Sequence, residues 1–240
     1  MSSVSHRLDR FVSRRLSISN KAVRELLIQQ KIIVDGEVAS VMNQIIGPFT
    51  SVVIDGEVIQ QRQQVYLMMN KPKGVVSATK DDKHTTVIDL IDHPLKSELH
   101  IAGRLDFNTT GLLLLTNDGV WSKQLSLPES NVMKTYRVML KESLSRSDIE
   151  TYREIFQKGV LLLPENIITR PATLVALDAS TVELSICEGR YHQVKRMFGF
   201  FQNEVLELHR LSVGSLMLEE AMELGKSRLL TAEEIMTITH

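Results

Sequence analysis

Apolar residues recur along this chain with two different periods, and the change between them divides it. Near the start, Leu8, Phe11, Val12 and Leu16 return at intervals of three and four, and so do Ala22, Val23, Leu26 and Leu27. Both runs predict short amphipathic helices, with Ser17 or Ser19 available to cap the second. Asp35-Gly36 and Asp55-Gly56 then each sit between short β-branched runs, which reads as strand, tight turn, strand, twice over. Residues 60–64 (Gln-Gln-Arg-Gln-Gln) are polar and without period. They predict a linker between a small unit over 1–59 and a larger domain over 65–240.

Beyond the linker the two-residue period dominates. Strands are expected at 66–69, 112–116, 135–140, 172–177, 181–187 and 205–211. The clearest has Val182, Leu184 and Ile186 on one face. Helices interrupt this set. Ser145 and Asp148 have capping-box spacing ahead of Ile149, Tyr152 and Phe156, and Gly159 is a stop. Val194, Met197, Phe198 and Phe201 form the apolar face of another short helix. Such irregular alternation predicts an α+β fold with a mostly antiparallel sheet.

Charge adds a feature that the net value of -1 hides. Between residues 1 and 31, Arg7, Arg10, Arg14, Arg15, Lys21, Arg24 and Lys31 face only Asp9 and Glu25, an excess of five positive charges, whereas the chain from 219 onward is acidic. Arg7, Arg10 and Arg14 fall at three- and four-residue spacing and are expected on one helix face. With Lys21 and Arg24 they form a candidate footprint for nucleic-acid phosphates, or else a solvated basic surface. No apolar run approaches the length of a membrane span, and the N-terminus lacks a signal-peptide core. The single cysteine, Cys187, excludes an internal disulfide and fits a reducing cytoplasm.

Three stretches carry candidate chemistry. In Gly103-Arg104-Leu105-Asp106-Phe107-Asn108-Thr109-Thr110-Gly111, an acidic loop precedes a buried strand, an arrangement that can hold one carboxylate rigidly. Asp106, Asn108, Thr110 and Gly111 imitate the start of a calcium loop, but Asn117 stands where that loop needs a glutamate, and a strand follows in place of a helix. In Glu188-Gly189-Arg190-Tyr191-His192-Gln193-Val194-Lys195-Arg196, the residues His192, Lys195 and Arg196 share the polar side of the helix. They read as a solvated face unless one meets a carboxylate or phosphates. In Lys134-Thr135-Tyr136-Arg137-Val138, Tyr136 alternates with Val138 and Leu140 and reads as core packing, or as a ring that stacks on a planar ligand. No histidine pair has zinc-ligand spacing, and no nucleotide-binding glycine loop occurs, so neither a metal nor a cofactor is expected.

Taken in order, Asn70-Lys71-Pro72-Lys73-Gly74, the Gly103-Arg104-Leu105-Asp106 stretch, Lys134-Thr135-Tyr136, Gly189 to Met197 and Leu208-His209-Arg210 resemble the motifs of the ribosomal small-subunit pseudouridine synthases. The first segment resembles an alpha-L RNA-binding module. The resemblance implies isomerisation of a uridine in ribosomal RNA without cofactor or metal, most closely in the 16S branch, with the 23S branch as the alternative. It implies Asp106, Tyr136 and Lys195 as the catalytic set, and Arg104, Thr109, Arg190, His192 and Arg196 as substrate contacts. Asp106 is then either a nucleophile toward the ribose or a base at C2'. In a water-poor pocket a cation beside a carboxylate keeps it ionised, the role implied for Lys195. The implied partner is ribosomal RNA or a small-subunit ribonucleoprotein particle, met by a cytoplasmic monomer. Two other readings remain, a non-catalytic RNA-binding assembly protein and a glycoside hydrolase. The second would need a pair of carboxylates, whereas Asp118 is expected at the far end of the strand from Asp106.

Overall fold

The computed structural model describes residues 5–238 and divides the chain into two units, Met1–Gln64 and Val65–His240. In the first unit a two-residue strand β1 (His6–Arg7) leads into α1 (Leu8–Leu16) and α2 (Asn20–Ile28). Five short strands follow: β2 (Ile32–Val34), β3 (Glu37–Val38), β4 (Ile45–Ile46), β5 (Val52–Ile54) and β6 (Glu57–Gln60). Strands β3-β2-β5-β6 form one antiparallel sheet, and β1 pairs with β4. Leu8, Val12, Val23, Ile32, Val34, Ile46, Val52 and Ile54 make the unit's own core. Ser19 caps α2 by accepting from the Ala22 amide, whereas Ser17 ends α1 in the left-handed region.

Two expectations for this unit need correction. Gln60 lies in strand β6, and its amide donates to the Gly47 and Thr50 carbonyls, so the small unit's structure runs past residue 59. Arg7 is extended backbone ahead of the helix and pairs with Asp9. Its side chain lines a recess with Lys21 and Arg24, while Arg14 lines another with Arg15. The helical spacing of Arg7, Arg10 and Arg14 fails because the helix begins at Leu8, one residue too late to include Arg7.

The second unit contains β7 (Tyr66–Lys71), β8 (His100–Ala102), β9 (Thr110–Thr116), α3 (Gly119–Ser126), β10 (Lys134–Leu140), α4 (Arg146–Lys158), β11 (Leu161–Leu162), β12 (Ile167–Ile168), β13 (Thr173–Ala176), β14 (Thr181–Ile186), α5 (Gln193–Gly199), β15 (Val205–Val213), β16 (Leu216–Met217), β17 (Ser227–Leu229) and α6 (Ala232–Thr237). The main sheet runs β13-β14-β10-β15-β9-β7-β17, with β8 on β9 and β16 on β15. Its pairings are antiparallel except β15 with β9. The fold is therefore α+β with a mostly antiparallel sheet, as the hydrophobic pattern predicts.

Strand β9 is central, and apolar layers cover both its faces. Leu113 and Leu115 enter the larger core, and Leu112 and Leu114 enter a second core beneath Trp121 and α6. Double coverage is why this strand reads as an unbroken apolar run. Helix α4 begins in the expected capping box of Ser145 and Asp148 and ends at Gly159. The Tyr152 ring stacks on Phe201 at 3.7 Å, and Phe156 meets Phe198 edge-on at 5.2 Å. These contacts clamp α5 by its apolar face and turn its polar side toward the loop before β9.

Candidate active site

The loop from Gly103 to Thr109 has little regular structure, yet side chains from elsewhere in the fold hold its backbone at Gly103, Leu105, Asp106, Phe107 and Thr109. Arg210, fully buried on β15, donates to the Gly103 carbonyl at 3.0 Å and to the Leu112 carbonyl at 2.7 Å. The Ser77 hydroxyl donates to the Leu105 carbonyl and accepts from the Leu105 amide. Lys71, at the end of β7, is also fully buried. Its ammonium is within hydrogen-bond distance of the carbonyls of Pro72, Asp106, Phe107 and Thr109, at 3.0, 3.1, 3.4 and 3.0 Å. Burial lowers the Lys71 pKa from 10.5 to about 8, while the nearby Asp106 charge opposes that shift. The loop leaves through Gly111, whose φ of +104° and proximity to Arg210 admit no side chain, since a Cβ would lie 2.3 Å from the Arg210 carbonyl oxygen.

This frame presents the Asp106 carboxylate to helix α5. Asp106 Oδ2 lies 3.6 Å from His192 Nε2 and 3.9 Å from Lys195 Nζ. His192 precedes α5 in the left-handed region, with φ 48°. The turn before it is built around Glu188, a buried carboxylate that accepts from the Arg170 amide, Gln193 Nε2 and Arg190 Nε. Gln193 completes the ring by accepting from the Arg190 amide.

Around Asp106 lies a cavity of about 620 Å³, whose walls include Arg104, Lys134, Tyr136, Glu188, Arg190 and Arg210. Tyr136 is 7% exposed and packs in the larger core with Val138 and Leu140. It is therefore a core residue and a cavity wall at once. The expectation of a water-poor pocket is not met here, because the Asp106 side chain is 33% exposed. The loop stands at the rim of the sheet, so its frame fixes the carboxylate's position without shielding it from water.

The remaining sequence candidates separate. Arg104 is exposed beside the cavity, and Thr109 is buried with its hydroxyl unpartnered. Arg190 pairs with Glu188 at 3.1 Å. Arg196 turns away from Asp106, pairing with Glu165 and donating to the carbonyls of Leu163 and Tyr191. Successive helix positions diverge by about 100°, so Lys195 and Arg196 cannot both face one carboxylate. Arg10, Arg14, Lys21 and Arg24 are exposed on the first unit.

Lys71, Arg210, Ser77 and Glu188 carry no role that the sequence alone reveals. For Lys71 the available signals are its place ahead of proline at the end of an apolar strand and its place in the first family-like motif, and neither states what it holds. The second carboxylate at the cavity, Glu188, is consumed by three donors, and Asp118 caps α3 while accepting from the Tyr66 hydroxyl. Neither is free to flank a glycosidic bond as the partner of Asp106.

A family model described as RNA pseudouridylate synthase matches residues 65–199. The chain belongs to the RNA pseudouridylate synthase family. Relatives named ribosomal small subunit pseudouridine synthase A come from Yersinia pestis and Pseudomonas aeruginosa, each 41% identical over 97% of this chain and covered over 97% and 100% of their own lengths. One from Escherichia coli K12 is 40% identical over 97% of this chain and 99% of its own. A solved pseudouridylate synthase aligns with a TM-score of 0.69 and 36% identity, over 97% of this chain and 99% of that one. The chain is thus an RNA pseudouridine synthase, and the Asp106 cavity lies within the segment that the family model matches, apart from Leu208 and Arg210 in its wall.

Proposed function

We propose that this pseudouridine synthase isomerises a uridine of small-subunit (16S) ribosomal RNA, with Asp106 as the reacting carboxylate. The names of its relatives favour the small-subunit over the large-subunit RNA. The observation that carries the site is one carboxylate oxygen lying near two side chains of the α5 segment, His192 and Lys195, at the edge of a cavity walled by Tyr136.

The reaction breaks the N1–C1' bond, turns the uracil, joins C5 to C1' and releases the C5 proton, while the freed N1 takes up a proton so that the product is an isomer. C1' and C5 cannot be reworked within a stacked helix, so the uridine is extruded into the cavity. Ionised Asp106 then acts on the ribose, as a nucleophile at C1' or as a base at C2'. Lys195 places a positive charge 3.9 Å from the Asp106 carboxylate, opposite the negative charge that has to be held there once RNA displaces water. Tyr136 stacks on the uracil and assists removal of the C5 proton. Arg104 holds the extruded nucleotide's backbone, and Thr109, Arg190 and His192 line its path. Arg196 acts indirectly, by holding the turn that carries Tyr191.

In this reading the first unit is an RNA-binding module in which Arg7, Arg10, Arg14, Lys21 and Arg24 meet phosphates, on ribosomal RNA or a small-subunit particle. The enzyme works as a cytoplasmic monomer. Among the described residues no helix is long and apolar enough to cross a membrane.

Tritium release from a small-subunit ribosomal RNA transcript carrying C5-labelled uridine tests the chemistry. Asp106→Asn should abolish release while leaving fold and RNA affinity intact, and near-normal release would remove Asp106 from the mechanism. Mapping pseudouridines in ribosomal RNA from cells with and without the gene tests the substrate, and an unchanged small-subunit map would overturn the assignment.

A further inference from the structure

One aromatic side chain at the catalytic cavity has no part in the isomerisation steps. Tyr191 is 72% exposed, yet it belongs to a heavily braced turn. Glu188, Arg190 and Gln193 bind one another around it, and Arg196 donates to its carbonyl at 3.2 Å. Its ring lies nearly parallel to the His192 imidazole, with centroids 3.9 Å apart and planes inclined by 17°. The same imidazole stands with its Nε2 3.6 Å from Asp106 Oδ2.

His192 stacks on the tyrosine, the residue is otherwise largely exposed, and it lines both the Asp106 cavity and a neighbouring recess beside Glu165. Such exposure contributes little hydrophobic stabilisation, so packing does not account for a large aromatic ring carried on this braced backbone. Extruding a uridine, in turn, leaves its neighbours without a stacking partner, and proteins recognise such bases with exposed aromatic faces.

We propose that Tyr191, backed by His192, is a stacking platform for a nucleobase adjacent to the reacting uridine. The proposal rests on the uridine-isomerisation reading and adds a subsite to it. The platform tolerates any base, because every base presents a π face, and it acts on binding and not on the chemical step. Its ligand class is therefore an unstacked nucleobase of the same RNA strand.

The test compares Tyr191→Ala, Tyr191→Phe and Tyr191→Trp on the C5-tritiated small-subunit ribosomal RNA transcript. Tyr191→Ala should raise KM by roughly 5- to 150-fold, the range that loss of one base–aromatic stack implies. Its saturating single-turnover rate should stay within about twofold of wild type, as expected for loss of uniform binding. Tyr191→Phe and Tyr191→Trp should restore KM, since they keep the ring. RNA should also quench the emission of the new tryptophan, read as a difference from the wild type to remove Trp121. The proposal is overturned by an unchanged KM in Tyr191→Ala, by a fall in its saturating rate in place of the KM effect, by Tyr191→Phe as impaired as Tyr191→Ala, or by unquenched emission. A merely structural tyrosine would lower the Tm without this split and rescue. Wild-type enzyme that releases no tritium would instead defeat the functional reading, and the quenching measurement still decides the platform, because it needs no turnover.

Discussion

Lys71→Met removes an ammonium from a fully buried position and keeps most of the stem's packing. Two effects on stability then oppose each other. The depression of Lys71 from 10.5 to about 8 means that its charge costs roughly 3 kcal/mol at neutral pH relative to an exposed lysine, and the substitution relieves that cost. Against this stand charge-assisted hydrogen bonds of about 1.5–3 kcal/mol each, made by three ammonium protons shared among the carbonyls of Pro72, Asp106, Phe107 and Thr109. Their loss outweighs the relief, and a net destabilisation on the order of 2–6 kcal/mol is expected. Catalysis should suffer more than folding, because three of the four carbonyls belong to the Asp106 loop. A displacement near 1 Å of a reacting group costs roughly 100-fold, so single-turnover tritium release should fall by about that factor. RNA affinity, set mainly by phosphate contacts elsewhere, should stay within about threefold. Urea unfolding, filter binding and tritium release measure the three quantities, and a release rate within about threefold of wild type would refute the tether. The pH dependence supplies a second check. Lys71 has a folded-state pKa below its unfolded one, so between about 8 and 10.5 the unfolded chain holds the extra proton. Its contribution to stability therefore rises with pH across that window and is lost as pH falls through it. The difference in unfolding free energy, wild type minus Lys71→Met, should grow by roughly 3 kcal/mol from pH 8 to 10.5, and a flat difference would show that burial does not strain this charge.

Lys195→Met and Arg196→Met should diverge. The first removes a charge 3.9 Å from Asp106 and should lower the single-turnover rate at least about tenfold, whereas the second breaks the Glu165 pair and should act mainly on thermal stability; equal rate losses would contradict the different directions of the two side chains. Replacing Arg10, Arg14, Lys21 and Arg24 together with glutamine should weaken RNA binding and reduce its logarithmic salt slope by about 0.7–0.9 for each phosphate no longer neutralised, and an unchanged slope would leave those side chains as a solvated surface. Gly111→Ala should destabilise the fold by several degrees of Tm, because its Cβ would lie 2.3 Å from the Arg210 carbonyl oxygen at a φ of +104°; a Tm equal to wild type would show that β9 and β15 yield easily at this point.

The hydrophobic pattern by itself determined much of this protein. Period-two alternation located β10 and β14, the unbroken leucines located the doubly covered β9, and Ser145 with Asp148 marked the start of α4. These features are local, since a strand's faces and a helix's cap are set by residues a few positions apart. The Asp106 loop was legible for a similar reason, as a polar segment bearing one acid directly before a buried strand. Partnership was not legible. Lys71 and Arg210 approach the Asp106 loop from strands distant in sequence, and periodicity records that a position is buried without recording what meets it there. The same limit separated Arg7 from Arg14, because one residue's difference in the start of α1 moved Arg7 off the helix. Lys195 and Arg196 are neighbours in the chain, and only the packing of α5 against the rings of α4 decided that the first faces Asp106 and the second Glu165. Tyr191 fell within a motif but received no role, because an exposed tyrosine carries no periodic signal. Its meaning came from the parallel ring of His192 and from the Asp106 carboxylate near that imidazole, which the tertiary fold brings together.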